Sequence, residues 1–241
     1  MTGSSGGHEA DEPVLSRRVV VRLLVVLSAA SGCLDVFCLT RLGGFFASVI
    51  TGNLVKFGDA IVTADTRPVA GGLAAVGGYA VGVAAATAHL RHAGTGWRRR
   101  TGMVAGAEAA LLVGVAAFWF STAERPGYAG GLALLGAASA ASGMQTAVTI
   151  SSGLRGASTT YLTGSLTDVV RTIVLDPHRF AAGAGGVSRL LGLLGGAVLG
   201  ALTLRVAPSW TPALAAALVV AVVLVTVGLT RARITDRKAP R

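Results

Sequence analysis

Residues 51–57, TGNLVKF, return as residues 163–169, TGSLTDV, and the way this echo is read decides the architecture of the chain. Ser31 and Gly32 recur in the same way as Ser142 and Gly143, at a spacing equal to within one residue. A repeated unit of about 111 residues therefore accounts for the chain from position 17 onward, with a first copy over 17–122 and a second over 128–231. Each copy of the motif is followed by a helix-compatible run.

Around the motif the chain is apolar. Hydrophobic residues make up 52% of the 241 residues, charged residues only 13%, and there are 34 glycines; the mean hydropathy is +0.67. That profile excludes an ordinary soluble domain. Seven stretches approach the roughly 20 residues a bilayer requires: 19–40, 44–64, 69–90, 102–122, 128–151, 185–206 and 210–230. An eighth, 157–175, is more polar. Residues 1–16 read as a disordered tail, 17–231 as one transmembrane domain, and 232–241 as a basic cytoplasmic tail. The run after Arg17, Arg18 and Arg22 is too long for a signal-peptide core and is expected to remain as a first span.

The net charge of +10 does not indicate nucleic acid, because the arginines sit at the ends of apolar runs. Their distribution instead tests the topology, since short cytoplasmic loops accumulate bases. Eight full crossings with an internal N-terminus place thirteen bases inside and seven outside, stranding Arg91, Arg98, Arg99 and Arg100 on the outer face. If 44–64 and 157–175 instead leave by the face they enter, sixteen bases are inside and four outside, namely Arg41, Arg67, Arg125 and Arg205. The expected fold is thus an all-α integral membrane protein, a helical bundle of two internal repeats with six full spans and two short or re-entrant helices; seven or eight full spans are the alternative. Three crossings per copy insert the second copy upside down, an arrangement typical of transporters and channels.

The motif itself suggests a pathway. Asn53 is expected to cap a helix ending near Thr63, and Thr163 or Ser165 one ending near Leu175, with Asp168 in its first turn. Eleven residues span about 17 Å, half a bilayer. Gly52 and Gly164 supply backbone freedom. An interrupted helix at membrane depth is tolerated only where it is buried in protein or lines a wet cavity, and its N-terminus offers free amides to an anion or polar solute. The competing reading is that Gly52 and Gly164 let two continuous helices pack closely, with Thr51 and Thr163 bonding back to their own turns.

Substrate-binding candidates are Asp35, Thr51, Gly52, Asn53, Gln145, Thr163, Gly164 and Ser165, with Asp35 as the acid for solute or proton coupling. Aligning Asn53 with Ser165 sets Lys56 opposite Asp168 and Asp59 opposite Arg171, so either two salt bridges join the copies or each pair closes within its own helix at i, i+3. Glu108 is expected to snorkel. Gly78 and Gly82, and Gly192, Gly196 and Gly200, form packing stripes, and Trp97 and Trp119 bracket one span as interfacial anchors. Cys33 and Cys38 lie about 140° apart around a helix and read as apolar filler. No metal, cofactor or paired-carboxylate constellation is legible, so an enzyme is not expected.

The chain resembles the YoaK-type family, bacterial multi-pass membrane proteins known only as a domain of unknown function. The likeness runs from about Leu27 to Val227. It is carried by Gly32, Asp35, Gly43, Gly44 and Thr51 to Leu54, and again by Gly143, Gln145, Thr146, Ala147, Thr159, Thr160, Thr163 and Gly164. Thr146 and Ser165 stand where that pattern has asparagine. The resemblance implies a protein of the bacterial cytoplasmic membrane and brings no substrate. The expected function is a small-solute or ion transporter or channel with both termini cytoplasmic. A non-transporting membrane partner or assembly factor is the second reading and a lipid-acting enzyme the third. The expected partners are the lipid bilayer and an unidentified small solute or ion, without nucleic acid; a homo-oligomer stays open.

Overall fold

The computed structural model describes residues 15–153, 162–175 and 180–238. Among them the chain is an all-α membrane protein of eight helices: α1 Arg17–Arg41, α2 Ile50–Val62, α3 Thr66–Leu90, α4 Arg99–Ser121, α5 Gly127–Ser151, α6 Leu162–Leu175, α7 Phe180–Val206 and α8 Thr211–Lys238, with a 3-10 turn at Pro208–Trp210. Six of them, α1, α3, α4, α5, α7 and α8, are long and apolar enough to cross a membrane. The expected tail over 1–16 lies outside the described residues except for Leu15, which is buried, and Ser16. Of the stretch 232–241 expected as a basic cytoplasmic tail, the residues up to Lys238 continue α8.

The segment expected as an apolar run over 44–64 is helical only from Ile50. Gly43 and Gly44 adopt φ of +85° and +83°, left-handed values that end α1 and that side chains rarely accept. The chain then turns back along α1: the Ser48 amide and hydroxyl both donate to Asp35, at 2.8 and 2.5 Å. Asp35 lies six residues, about 9 Å, short of the end of α1, so α2 starts inside the bundle. It runs outward against α3, with the Phe57 ring covering Gly72, and a turn closes where the Asp65 amide donates to the Ala60 carbonyl. Asp65 then caps α3 by accepting from the Arg67 amide at 3.1 Å.

Helix ends fix the direction of each segment. Phe37 near the end of α1 meets Trp119 near the end of α4, ring centroids 5.0 Å apart. The Tyr128 hydroxyl at the start of α5 donates to the Arg67 carbonyl at the start of α3 (3.4 Å). Phe120 stacks edge-on against Trp210 at 5.3 Å, and Ser209 bonds to Glu124. At the opposite end the Gly96 amide donates to the Ser151 carbonyl at 2.9 Å. Thus α1 and α4 finish on the face where α3, α5 and α8 begin, and α2, lying between α1 and α3, returns to the face it left. At 13 residues, about 20 Å, it is too short for a hydrocarbon layer of about 30 Å in any case.

The long helices pack through small residues. Gly192, Gly196 and Gly200 of α7 sit on Val25, Ala29 and Cys33 of α1, and Gly78 and Gly82 of α3 sit on Gly136 and Ala140 of α5. Positions climb together in both pairs, so each pair is parallel. A Cβ at Gly82 or Gly196 would collide with the facing backbone. The glycine stripes are therefore buried helix contacts. Four helices close a ring: α1 packs on α5 and α8, and α4 packs on the same two. Outside it α3 lies on α5 and α7 on α1; outermost, α2 lies on α3 and α6 on α7. Trp97 and Trp119, expected as interfacial anchors, are each only 2% exposed, Trp119 with its ring against Phe37 of α1.

Candidate functional site

Two polar systems are built into this bundle. The first is the clamp on the loop 42–49. Asn53, fully buried, accepts from the Phe46 amide through Oδ1 at 2.9 Å and donates to the Phe46 carbonyl through Nδ2 at 2.7 Å. With Asp35 holding Ser48, both ends of the turned-back strand are satisfied by side chains, which an irregular backbone inside a membrane requires. Asn53 is not the helix cap: α2 begins before it, after Val49. Nor is Gly52 a strained position. It is helical, and a Cβ there would meet Val49 and Phe46 at ordinary contact distances of 3.4 to 3.7 Å. Backbone freedom resides in Gly43 and Gly44. Phe45 from this loop is buried and its ring covers Gly71 of α3.

Thr51 is exposed on the outer surface of α2, as are Lys56 and Asp59. Lys56 donates to the Gly44 carbonyl, and its ammonium lies 5.8 and 5.6 Å from the Phe45 and Phe46 rings. Among the described residues α2 packs on α3 and α6 on α7, which does not bring Lys56 and Asp59 to Asp168 and Arg171. Thr163, Gly164 and Ser165 fall inside α6 rather than at a cap. The side chains of Thr163, Ser165 and Asp168 lie outside the described ones; Gly164 is half-buried and Arg171 exposed.

The second system lies inside the ring. Gln145 of α5 reaches across to α1, donating to the Ser31 hydroxyl at 2.7 Å and to the Leu27 carbonyl at 3.1 Å. At the next residue of α5, the Tyr79 hydroxyl donates to Thr146 at 2.9 Å, tying α3 to the same layer. Ser28, Ser31, Ser139, Ser142 and Gln145 are all at most 3% exposed. Glu108, expected to snorkel, is 1% exposed near the middle of α4. Its Oε2 and the Ser139 hydroxyl oxygen have no hydrogen-bond partner among the described residues. A carboxyl, a carboxamide and several hydroxyls in a low-dielectric ring can bind an ion or a small polar group strongly once water is displaced.

Of the sequence candidates, Asp35 and Asn53 come together on the loop, whereas Gln145 belongs to the ring. Sequence reasoning missed Ser48 and Phe46 as their partners, and Ser139 and Glu108 as site residues. The signal for Glu108 was present: it is the lone charge between Arg100 and Glu124. Among the described residues no three His, Cys, Asp or Glu side chains cluster as a metal site.

No curated protein and no solved structure matches the chain. A family model does, over residues 23–225, from the first core positions of α1 to the middle of α8. That match takes in the loop clamp, the polar ring and both short helices, so the chain belongs to the family described as "Protein of unknown function (DUF1275)".

Proposed function

We propose that the protein is a small-solute or ion transporter of the bacterial cytoplasmic membrane, built as an inverted duplication. The observation that carries this reading is the strand of backbone before α2 that folds back into the bundle and is held there by Asp35 and Asn53. Irregular backbone at membrane depth is a hallmark of substrate pathways in secondary transporters. The packing supports duplication: helix order runs long, short, long, long twice, and the contact of α1 with α7 is matched by that of α5 with α3, and that of α1 with α8 by α5 with α4. An inverted duplication would relate these pairs by a two-fold axis through the ring. Ser31 and Gln145, bonded across α1 and α5, would then lie between the two halves, where solute would bind.

The positive-inside rule assigns the face bearing Arg41, Arg67, Arg125 and Arg205 to the outside, with both termini cytoplasmic. Reconstituted protein on solid-supported membranes tests the transport reading. Exchange into sodium, potassium, chloride, sulfate, amino acids and small carboxylates should give a transient current with at least one class, reduced about tenfold or more in Gln145→Leu, as expected for losing on the order of 1.4 kcal/mol of polar contact. Currents indistinguishable from empty liposomes for every class would remove the proposal.

A further inference from the structure

Among the described residues Glu108 has no hydrogen-bond partner for its Oε2, and the helices that pack on it bring no charged side chain to its level. On α5 the one titratable side chain is Tyr128 at its start, and on α8 the charged residues begin at Arg231 near its end. The 3-10 turn has none. α3 offers Arg67 and His89 at opposite ends and Tyr79 in between, whose hydroxyl is donated to Thr146. α1, which reaches α4 through Phe37 and Trp119, contributes the acid Asp35, already holding Ser48, and the buried thiols Cys33 and Cys38. An isolated ionised carboxylate in such surroundings carries a prohibitive desolvation cost, and an acid inside a membrane bundle is retained for function by default.

Two further features bear on what occupies it. The Ser139 hydroxyl, fully buried at the midpoint of α5, is also without a partner among the described residues. An apolar groove between α3, α4 and α5 is lined by His89, Met103, Val104, Ala107 and Met144. Its wall includes Ala107, the exposed neighbour of the buried Glu108, and the exposed His89 near the end of α3 that precedes Arg91. A carboxyl this deeply buried, with one oxygen unpartnered among the described residues, is satisfied most simply by a proton, and a histidine lining the neighbouring groove is a group suited to relay one.

We propose that Glu108 is a proton-binding site that exchanges its proton with the Arg91–Arg100 end of the bundle past His89. The proposal rests on the transport reading for its purpose, since it makes Glu108, and not Asp35, the coupling acid. Protonation adds one proton to a carboxylate oxygen, and the same proton leaves to water or to the His89 imidazole on exchange.

Infrared pH-difference spectra of the full chain in liposomes test it without any solute. The wild type should show a protonated-carboxyl carbonyl band that titrates, is missing in Glu108→Gln and is displaced in frequency in Glu108→Asp, with His89→Ala slowing deuterium exchange of that band several-fold. Identical titration spectra for wild type and Glu108→Gln, or a Glu108 band unchanged from acidic to basic pH, overturn the proposal; the Asp variant and the wild-type titration decide the matter if the Gln variant does not fold. A Glu108 that titrates in a protein that moves nothing refutes transport alone, and a protein that moves solute while Glu108 stays silent refutes this site alone.

Discussion

Asn53 and Gly52 are neighbours with opposite consequences. Asn53→Ala leaves the Phe46 amide and carbonyl without their side-chain partners in a part-buried setting, at about 1–3 kcal/mol for each group. The variant should lose about 2 kcal/mol or more of stability, read as a lower midpoint in thermal unfolding in detergent. Gly52→Ala meets only ordinary contacts inside a helix, so it should be neutral or stabilising by up to about 1 kcal/mol in the same assay. A destabilised Gly52→Ala with an unaffected Asn53→Ala would restore the reading in which the glycine, not the carboxamide, is the special position. The motif was legible as important; the reason was not, because an asparagine that caps a helix and one that closes a loop seven residues back look alike in sequence.

At the scale of elements, parallel pairs of glycine-lined helices carry the bundle. Gly196→Val would push a branched side chain into the backbone of Ala29 and separate α7 from α1. Overpacking of this kind costs about 1–3 kcal/mol and often more against rigid backbone, so the variant should give low yields of monodisperse protein on size exclusion. The same change at Gly195, one residue away with open space around it, should be tolerated. Helix bounds were largely readable from hydropathy, since expected spans such as 128–151 and 102–122 fall within a few residues of α5 and α4. The exception is 44–64, whose apolar residues Phe45, Phe46 and Ala47 belong to a loop packed into the core. Hydropathy registers burial and is blind to whether a buried backbone is helical.

For the whole molecule, the helix ends place Arg67 and Thr95 at opposite faces, because α3 crosses between them. Single cysteines at these positions, in a background lacking Cys33 and Cys38, should react with an impermeant maleimide from opposite sides of the membrane, position 67 from outside and position 95 from inside. Same-side labelling would contradict the six-span arrangement.

Composition alone determined that the chain is an all-α membrane protein, and arginine placement singled out the two segments that do not cross, since hydrophobic length and surface charge are properties of local sequence. Tertiary structure decided where those segments go. The two short helices lie at the periphery on α3 and α7, because the stripes of glycine bring α3 to α5 and α7 to α1 and leave the ring to be closed by α1, α5, α4 and α8. It also moved Glu108 from an expected snorkelling position to the interior, and spent Asp35 and Asn53 on the loop beside them: which partner a polar group finds depends on contacts between residues far apart in the chain, and no local pattern encodes them.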